Sequence, residues 1–163
     1  MFVTLYRLPD IMGFARGLMW RFLSNRIPAR IAIAQGSFST LRFASDIAGD
    51  AAIYSTQFLG TGVVKAYQAE RAVKGIAISL DESVMPFIGD LQLGEVFQLP
   101  EPQGSVPAVG NFIYHGTDNA SEHRDKRVKD ARAALSAMKR KAAREFHHYY
   151  DFALNNLERM RNA

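Results

Sequence analysis

Few side chains in this 163-residue chain have a type and spacing that could do chemistry. Four are histidines, His115, His123, His147 and His148. None stands at the spacing of a helical or HExxH metal site, and the adjacent pair would point in different directions on a helix. Asp46, Asp50, Asp81, Glu82 and Asp90 are carboxylates in loop-like stretches, the hard oxygen donors a divalent ion takes. No spacing pairs two of them. Asp81 and Glu82 read as helix-capping residues and Asp50 as a turn residue. Cysteine is absent, which removes thiol nucleophiles, thiolate metal sites and disulfides, and fits a reducing, cytoplasmic setting.

Gly60-Thr61-Gly62 leads into a helical stretch that carries Lys65 and Arg71. Exposed amides at a helix start can hold a phosphate, and Lys65 could lean toward it. Neither GxxxxGK[ST] nor GxGxxG is present, so a plain turn remains open at this position. A basic run includes Arg124, Lys126, Arg127, Lys129, Arg132, Lys139, Arg140, Lys141 and Arg144. Its aromatic residues, Phe146, Tyr149, Tyr150 and Phe152, follow the charges instead of alternating with them. That favours a solvated helix face over a nucleic-acid surface.

These residues need elements to hold them. Phe2–Tyr6 reads as a strand. A helix capped by Asp10 follows, with Ile11, Phe14, Ala15, Leu18, Met19, Phe22 and Leu23 on one stripe and Arg16, Arg21 and Arg26 mostly off it. Gly13 and Gly17 would mark close packing against the sheet, and Pro28 stops the helix by about Asn25. Ala29–Ala34 is apolar on both faces and is expected in the middle of a sheet. Residues 2–35 would form a right-handed βαβ unit. Residues 40–51 suggest a loop with a helical turn around Phe43–Ile47 and a turn at Gly49-Asp50. Ala52–Leu59 could be a strand.

Val63–Val73 is helical and ends at Gly75 as a C′ residue. Ile76–Leu80 is a short buried strand, and Asp81 and Ser83 cap a short helix. The proline-rich stretch 90–118 holds edge strands and an aromatic strand over Val109–His115. From about Glu122 a helix is expected, which either breaks near Arg144–His147 or reaches out as one long helix to pack on a partner. Its stripe is Val128, Ala131, Leu135, Met138, Ala142, Phe146, Tyr149, Phe152, Ala153 and Leu157.

The order of elements gives an α/β fold: a mixed, partly antiparallel sheet with helices packed on it, plus C-terminal helices. Two parts follow, an α/β domain over 1–118 and a helical segment over 119–163 that packs on the domain or on a partner. Hydrophobic residues are 48% and charged residues 22% of the chain, within the globular range. No apolar run reaches the length of a membrane span, and the first residues lack the pattern of a secretory signal. Residues 1–120 carry nine Lys/Arg against ten Asp/Glu, and residues 121–163 carry eleven against six. The positive excess therefore sits in the C-terminal helices.

Three stretches resemble bacterial class III nucleotidyl cyclase domains (adenylate and guanylate cyclases), in a small divergent form. Arg30-Ile31-Ala32-Ile33-Ala34-Gln35-Gly36 is similar to the strand R-G-A-I-x-x-G, with Ile31 where glycine is usual. Gly60-Thr61-Gly62-Val63-Val64-Lys65-Ala66-Tyr67-Gln68-Ala69-Glu70 resembles the later G-x-x-[VI]-x-x-A-x-x-L-E segment, and Gly75-Ile76-Ala77-Ile78-Ser79 resembles the strand after it. The likeness covers about residues 1–88 well and 89–163 loosely.

The resemblance implies a ferredoxin-like sheet and head-to-tail dimers, with this chain pairing with itself or with a second cyclase-like chain. It implies two metal-binding Asp residues that would hold Mg or Mn with a nucleoside triphosphate, and both would precede Phe2. It places the family's transition-state Asn and Arg at Val64 and Gln68. Valine cannot hydrogen-bond a ribose, and glutamine cannot supply an arginine's charge. The implied protein is N-terminally truncated relative to the family and catalytically impaired, a dimerising or nucleotide-binding module. Gly60, Thr61, Gly62, Lys65 and Gln68 are the residues left to meet a nucleotide. An active metal-dependent cyclase completed by a partner chain is the alternative, and a basic helical adaptor for nucleic acid or an acidic protein is a second.

Overall fold

The computed structural model describes residues 7–46, 52–92, 94–103, 106–113 and 120–162. The segment Phe2–Tyr6, the Gly49-Asp50 turn and His115 lie outside the described residues. So does the boundary near residue 118.

Helix α1 spans Leu8–Ser24. Arg7 occupies the N-cap and Pro9 sits in the first turn, where its missing N–H is no loss. Asp10 is therefore a first-turn acid facing the positive helix end, not the cap expected of it. The amide and the side chain of Asn25 both donate to the Arg21 carbonyl, and Arg26 turns left-handed at φ 56°. The buried face is Leu8, Met12, Ala15, Arg16, Met19 and Leu23. It is rotated from the expected stripe, and it takes in an arginine. Gly13 and Gly17 face open space and pack against nothing.

The fold is mixed α/β with a partly antiparallel sheet and C-terminal helices. Strand β1 is Ile31–Ile33, β4 is Ile78–Leu80, β5 is Val96–Gln103 and β6 is Val106–Gly110. They form one sheet in the order β1-β4-β6-β5, with β1 parallel to β4 and the other neighbours antiparallel. Among the described residues β1 is thus at the sheet's end, not in its middle. Strands β2, Ser39–Asp46, and β3, Ala52–Leu59, make a separate antiparallel pair. The helical turn expected around Phe43 is strand as far as Asp46. The aromatic strand expected from Val109 starts earlier, at Val106, and ends at Gly110.

Helix α2 covers Thr61–Ala72 and leaves through Val73 in an extended conformation. Gly75 is not its C′ residue. It lies under the Phe152 ring, which a Cβ there would strike. Asp81 caps the 3₁₀ segment Glu82–Asp90 by accepting from the Ser83 amide at 2.9 Å, as its sequence position suggested.

Helix α3, Ala120–Lys141, and helix α4, His147–Asn162, are separated by a short 3₁₀ turn, Arg144–Phe146, so of the two arrangements the sequence left open the structure has the break. The break lets α4 fold back along α3. Phe146, expected on the apolar stripe, is exposed at that turn, while Tyr150, Asn156 and Met160 join the buried face.

The two faces of the sheet carry separate cores. One packs Ile33, Ile78, Leu80 and Phe112 against α1, α3 and α4, so the C-terminal helices share their core with the sheet. The other packs Ala77, Val106 and Val109 against Ala69 and Val73 of α2. Burial at roughly 1.5–3 kcal/mol per large side chain makes these two layers the main source of stability.

Candidate functional site

Parallel strands that end together expose their C-terminal loops at one place, the usual position for a ligand in such sheets. Here β1 runs into Gln35-Gly36-Ser37, and that loop lies against the start of α2. Gly36 and Gly62 are in backbone contact: a Cβ on Gly36 would fall on the Gly62 amide and within 2.7 Å of Thr61 Oγ1. Gly60 has φ 129° and ψ 163°, a conformation open to glycine alone. The glycines are required here for close approach, and that is enough to account for them.

The same contact uses up the amides a phosphate would need. Thr61 N donates to Ser37 Oγ at 3.0 Å and Gly62 N to the Ser37 carbonyl at 3.0 Å. Val63 N and Val64 N both donate to the Gly60 carbonyl, at 3.1 and 3.3 Å. In return Thr61 Oγ1 accepts from Ser37 N at 3.0 Å, and the two hydroxyls lie 3.2 Å apart. Ser37 is thus the cap of α2, delivered from a different element. No local spacing announced it, because the cap and the helix start are 24 residues apart.

Of the five residues singled out for a nucleotide, Gly60, Thr61, Gly62 and Lys65 gather here. Lys65 Nζ reaches the Gln35 carbonyl at 3.4 Å, and among the described residues it has no acidic partner. Gln68 does not join them; it is exposed further along α2. Val64 and Tyr67 are 55% and 57% exposed, with Arg71 donating to the Tyr67 hydroxyl at 3.3 Å.

Beside this loop, Ser83 Oγ donates to Asp81 Oδ1 at 2.5 Å and accepts from Gln35 N at 2.9 Å. The hydroxyl is committed in both directions, and the carboxylate oxygen that accepts its proton also accepts the Ser83 amide as the cap, so the arrangement reads as a structural tie between the β1 loop and the 3₁₀ segment. The histidines are dispersed. His147 Nε2 lies 3.2 Å from the Ala142 carbonyl, His148 stacks on Tyr149, and His123 is exposed on α3. Among the described residues no group of three or more His, Asp or Glu could share a metal ion.

Below the loop, between α1 and α2, a groove of about 990 Å³ follows the outer side of β1. One wall is Ile11, Phe14, Leu18 and Phe22 of α1; the other is Val63, Ala66 and Tyr67 of α2. At its far end Arg30 holds β1 to α2. Its Nε pairs with Glu70 at 2.6 Å, Nη1 reaches the Glu70 and Val73 carbonyls, and the guanidinium lies over Tyr149. Arg30 therefore serves the C-terminal carbonyls of α2.

The basic run is partly spent on structure. Arg132 pairs with Glu158, Lys139 with Asp151 and Asp125 with Arg161, joining α3 to α4, and Arg127 lies over Trp20. Lys126, Lys129, Arg140, Lys141 and Arg144 face solvent. No helix among the described residues is long and apolar enough to cross a membrane.

Compared with protein-family models, with curated proteins and with solved structures, the chain matches none of them.

Proposed function

We propose that this chain is a cytoplasmic nucleotidyl-cyclase-like domain that has lost competent catalysis and acts by association, with a second copy or with another cyclase-like chain. One observation carries the reading. The amides at the start of α2 are taken by Ser37 and Gly60, while the next turns of the same helix present Val64 and Tyr67 to solvent. Phe58 and Leu59 of β3 are also exposed, just before that helix. An apolar group left in water beside others is the mark of a surface that meets another protein. The residues resembling the family's catalytic pair support the loss of chemistry, since Val64 and Gln68 offer neither ribose hydrogen bonding nor positive charge.

Lys65 favours a second reading, a retained nucleotide site. Among the described residues the Lys65 ammonium has no acidic partner, and beside the β1 loop it would attract a phosphate.

The test is calorimetric titration of ATP, GTP, CTP and UTP with Mn²⁺ or Mg²⁺, product analysis on the same samples, and light scattering over a range of protein concentrations. The expected result is no cyclic product and a mass rising from 18.2 kDa toward that of a dimer. A cyclic product would overturn the loss of catalysis. A monomer at every concentration that gives heat with a nucleotide would replace association with nucleotide binding.

A further inference from the structure

We propose that the turn between α3 and α4 is a docking tip for an anionic phospholipid surface, with Phe146 entering the headgroup layer and Lys74, Arg140, Lys141 and Arg144 meeting lipid phosphates around it. This goes beyond the functional reading and does not depend on it.

The basic run divides by what each cation meets. Arg132, Lys139 and Arg161 are paired with acids across α3 and α4. Arg140 and Lys141 end α3, and Arg144 opens the 3₁₀ turn. All three are exposed, and among the described residues none of them has an acidic partner. The tertiary structure adds a fourth cation. Ile76 N donates to the Tyr149 carbonyl at 3.2 Å, and Arg30, which donates to the Val73 carbonyl, lies over the Tyr149 ring. The end of α2 is therefore held against the first turn of α4, and the exposed Lys74 arrives at the same end of the molecule. The exposed Glu145 stands among these cations and leaves positive charge in excess.

Charge alone would fit any polyanion, and Phe146 selects a bilayer. It is 49% exposed at the tip and belongs to neither core, and its ring rests 6.3 Å from that of Tyr149. One aromatic amid cations matches a surface whose phosphates lie just above apolar chains: the ring gains burial while the cations stay with the phosphates. A nucleic-acid strand is met by several stacking or base-reading side chains along its path. The side of α3 that carries Lys129 and Arg140 has only the small residues Ala133, Ser136 and Ala137 between them. Backbone groups at the tip are bonded within it, which eases approach to a water-poor layer. Ala142 N donates to the Met138 carbonyl at 3.0 Å and Phe146 N to the Ala143 carbonyl at 2.9 Å, and His147 Nε2 meets the Ala142 carbonyl at 3.2 Å.

Flotation of the full chain tests the proposal, with vesicles of phosphatidylcholine alone and of phosphatidylcholine mixed with phosphatidylserine. Binding is expected to the mixed vesicles only, and it should weaken as salt is raised. Arg140→Gln and Lys141→Gln should each lower the partition by about fivefold, and Phe146→Ser by about tenfold. Lys126 and Lys129 stand about 16 Å or more up α3 from Arg140, beyond the screening length of about 8 Å, so Lys126→Gln with Lys129→Gln should bind as the parent does. No binding to the mixed vesicles would overturn the proposal, and so would an equal loss in the two double variants. Tighter binding to an oligonucleotide, unchanged by Phe146→Ser, would overturn it and assign the cations to nucleic acid. A second reading depends on no lost binding. The chain has no cysteine, so Phe146→Cys takes a polarity-sensitive fluorophore at a unique position. Its emission should move to the blue with mixed vesicles, while the same label at Lys129→Cys stays unshifted; no shift at residue 146, or the same shift at both positions, would overturn the proposal.

Discussion

Asn111 ties three parts of the molecule together through one buried amide. Its Nδ2 donates to the Gly94 and Met160 carbonyls, both at 2.9 Å, and its Oδ1 accepts from Ile113 N at 2.8 Å. The end of β6, the turn before β5 and the last turn of α4 thus meet on a single side chain. Asn111→Ala strands two carbonyls and an amide without water, and should destabilise the protein by about 2–4 kcal/mol in urea unfolding. A loss below about 1 kcal/mol would show that the tie is dispensable. Arg16 plays a similar part: it pairs with Glu95 at 2.8 Å and donates to the Ile113 carbonyl at 3.0 Å, with both charged side chains mostly buried. Arg16→Met leaves the Glu95 carboxylate without its counter-charge and should cost about 3 kcal/mol in the same measurement. Neither role was legible in the sequence. Arg16 and Glu95 are 79 residues apart, and a helical wheel places an arginine off the apolar face by default.

At the scale of elements, the glycines separate close approach from mere permissiveness. Gly36→Ala forces a methyl onto the Gly62 backbone, so the β1 loop must part from α2 and the Ser37 cap is lost with it. A drop in melting temperature, corresponding to about 1–3 kcal/mol, is the expected outcome. Gly13→Ala meets nothing and removes unfolded-state freedom within a helix, so it should stabilise by about 0.5–1 kcal/mol. Measured together by thermal unfolding, the two substitutions should move in opposite directions; a shift of the same sign in both would contradict the contacts described. Sequence alone suggested the reverse emphasis for Gly13, because a glycine inside an amphipathic helix reads equally well as packing or as exposure. The β2–β3 pair makes its own two-stranded sheet, and such a pair is marginal without support. Its exposed Leu41, Phe58 and Leu59 are then the element most dependent on a partner for its order.

For the whole molecule, association is the property to perturb. Tyr67→Asp and Val64→Asp place a charge on the exposed face of α2 without entering either core. On the proposed association, they should raise the protein concentration at which the mass rises above that of one chain, read by light scattering, while leaving unfolding within about 0.5 kcal/mol of the parent. Unchanged association in both variants would move the contact away from α2. The α/β class with C-terminal helices and the Asp81 cap were determined by the sequence itself. Each is set by neighbours a few residues away, through hydrophobic period, turn chemistry and local capping. Only the tertiary structure decided that Ser37 caps α2, that Arg30 serves the end of that helix, that Arg16 is buried, and that β1 borders a groove. Each of these depends on groups brought together from at least 24 residues away, where the free energy is that of burial and of pairing polar groups out of water, and no local pattern records which partner will arrive.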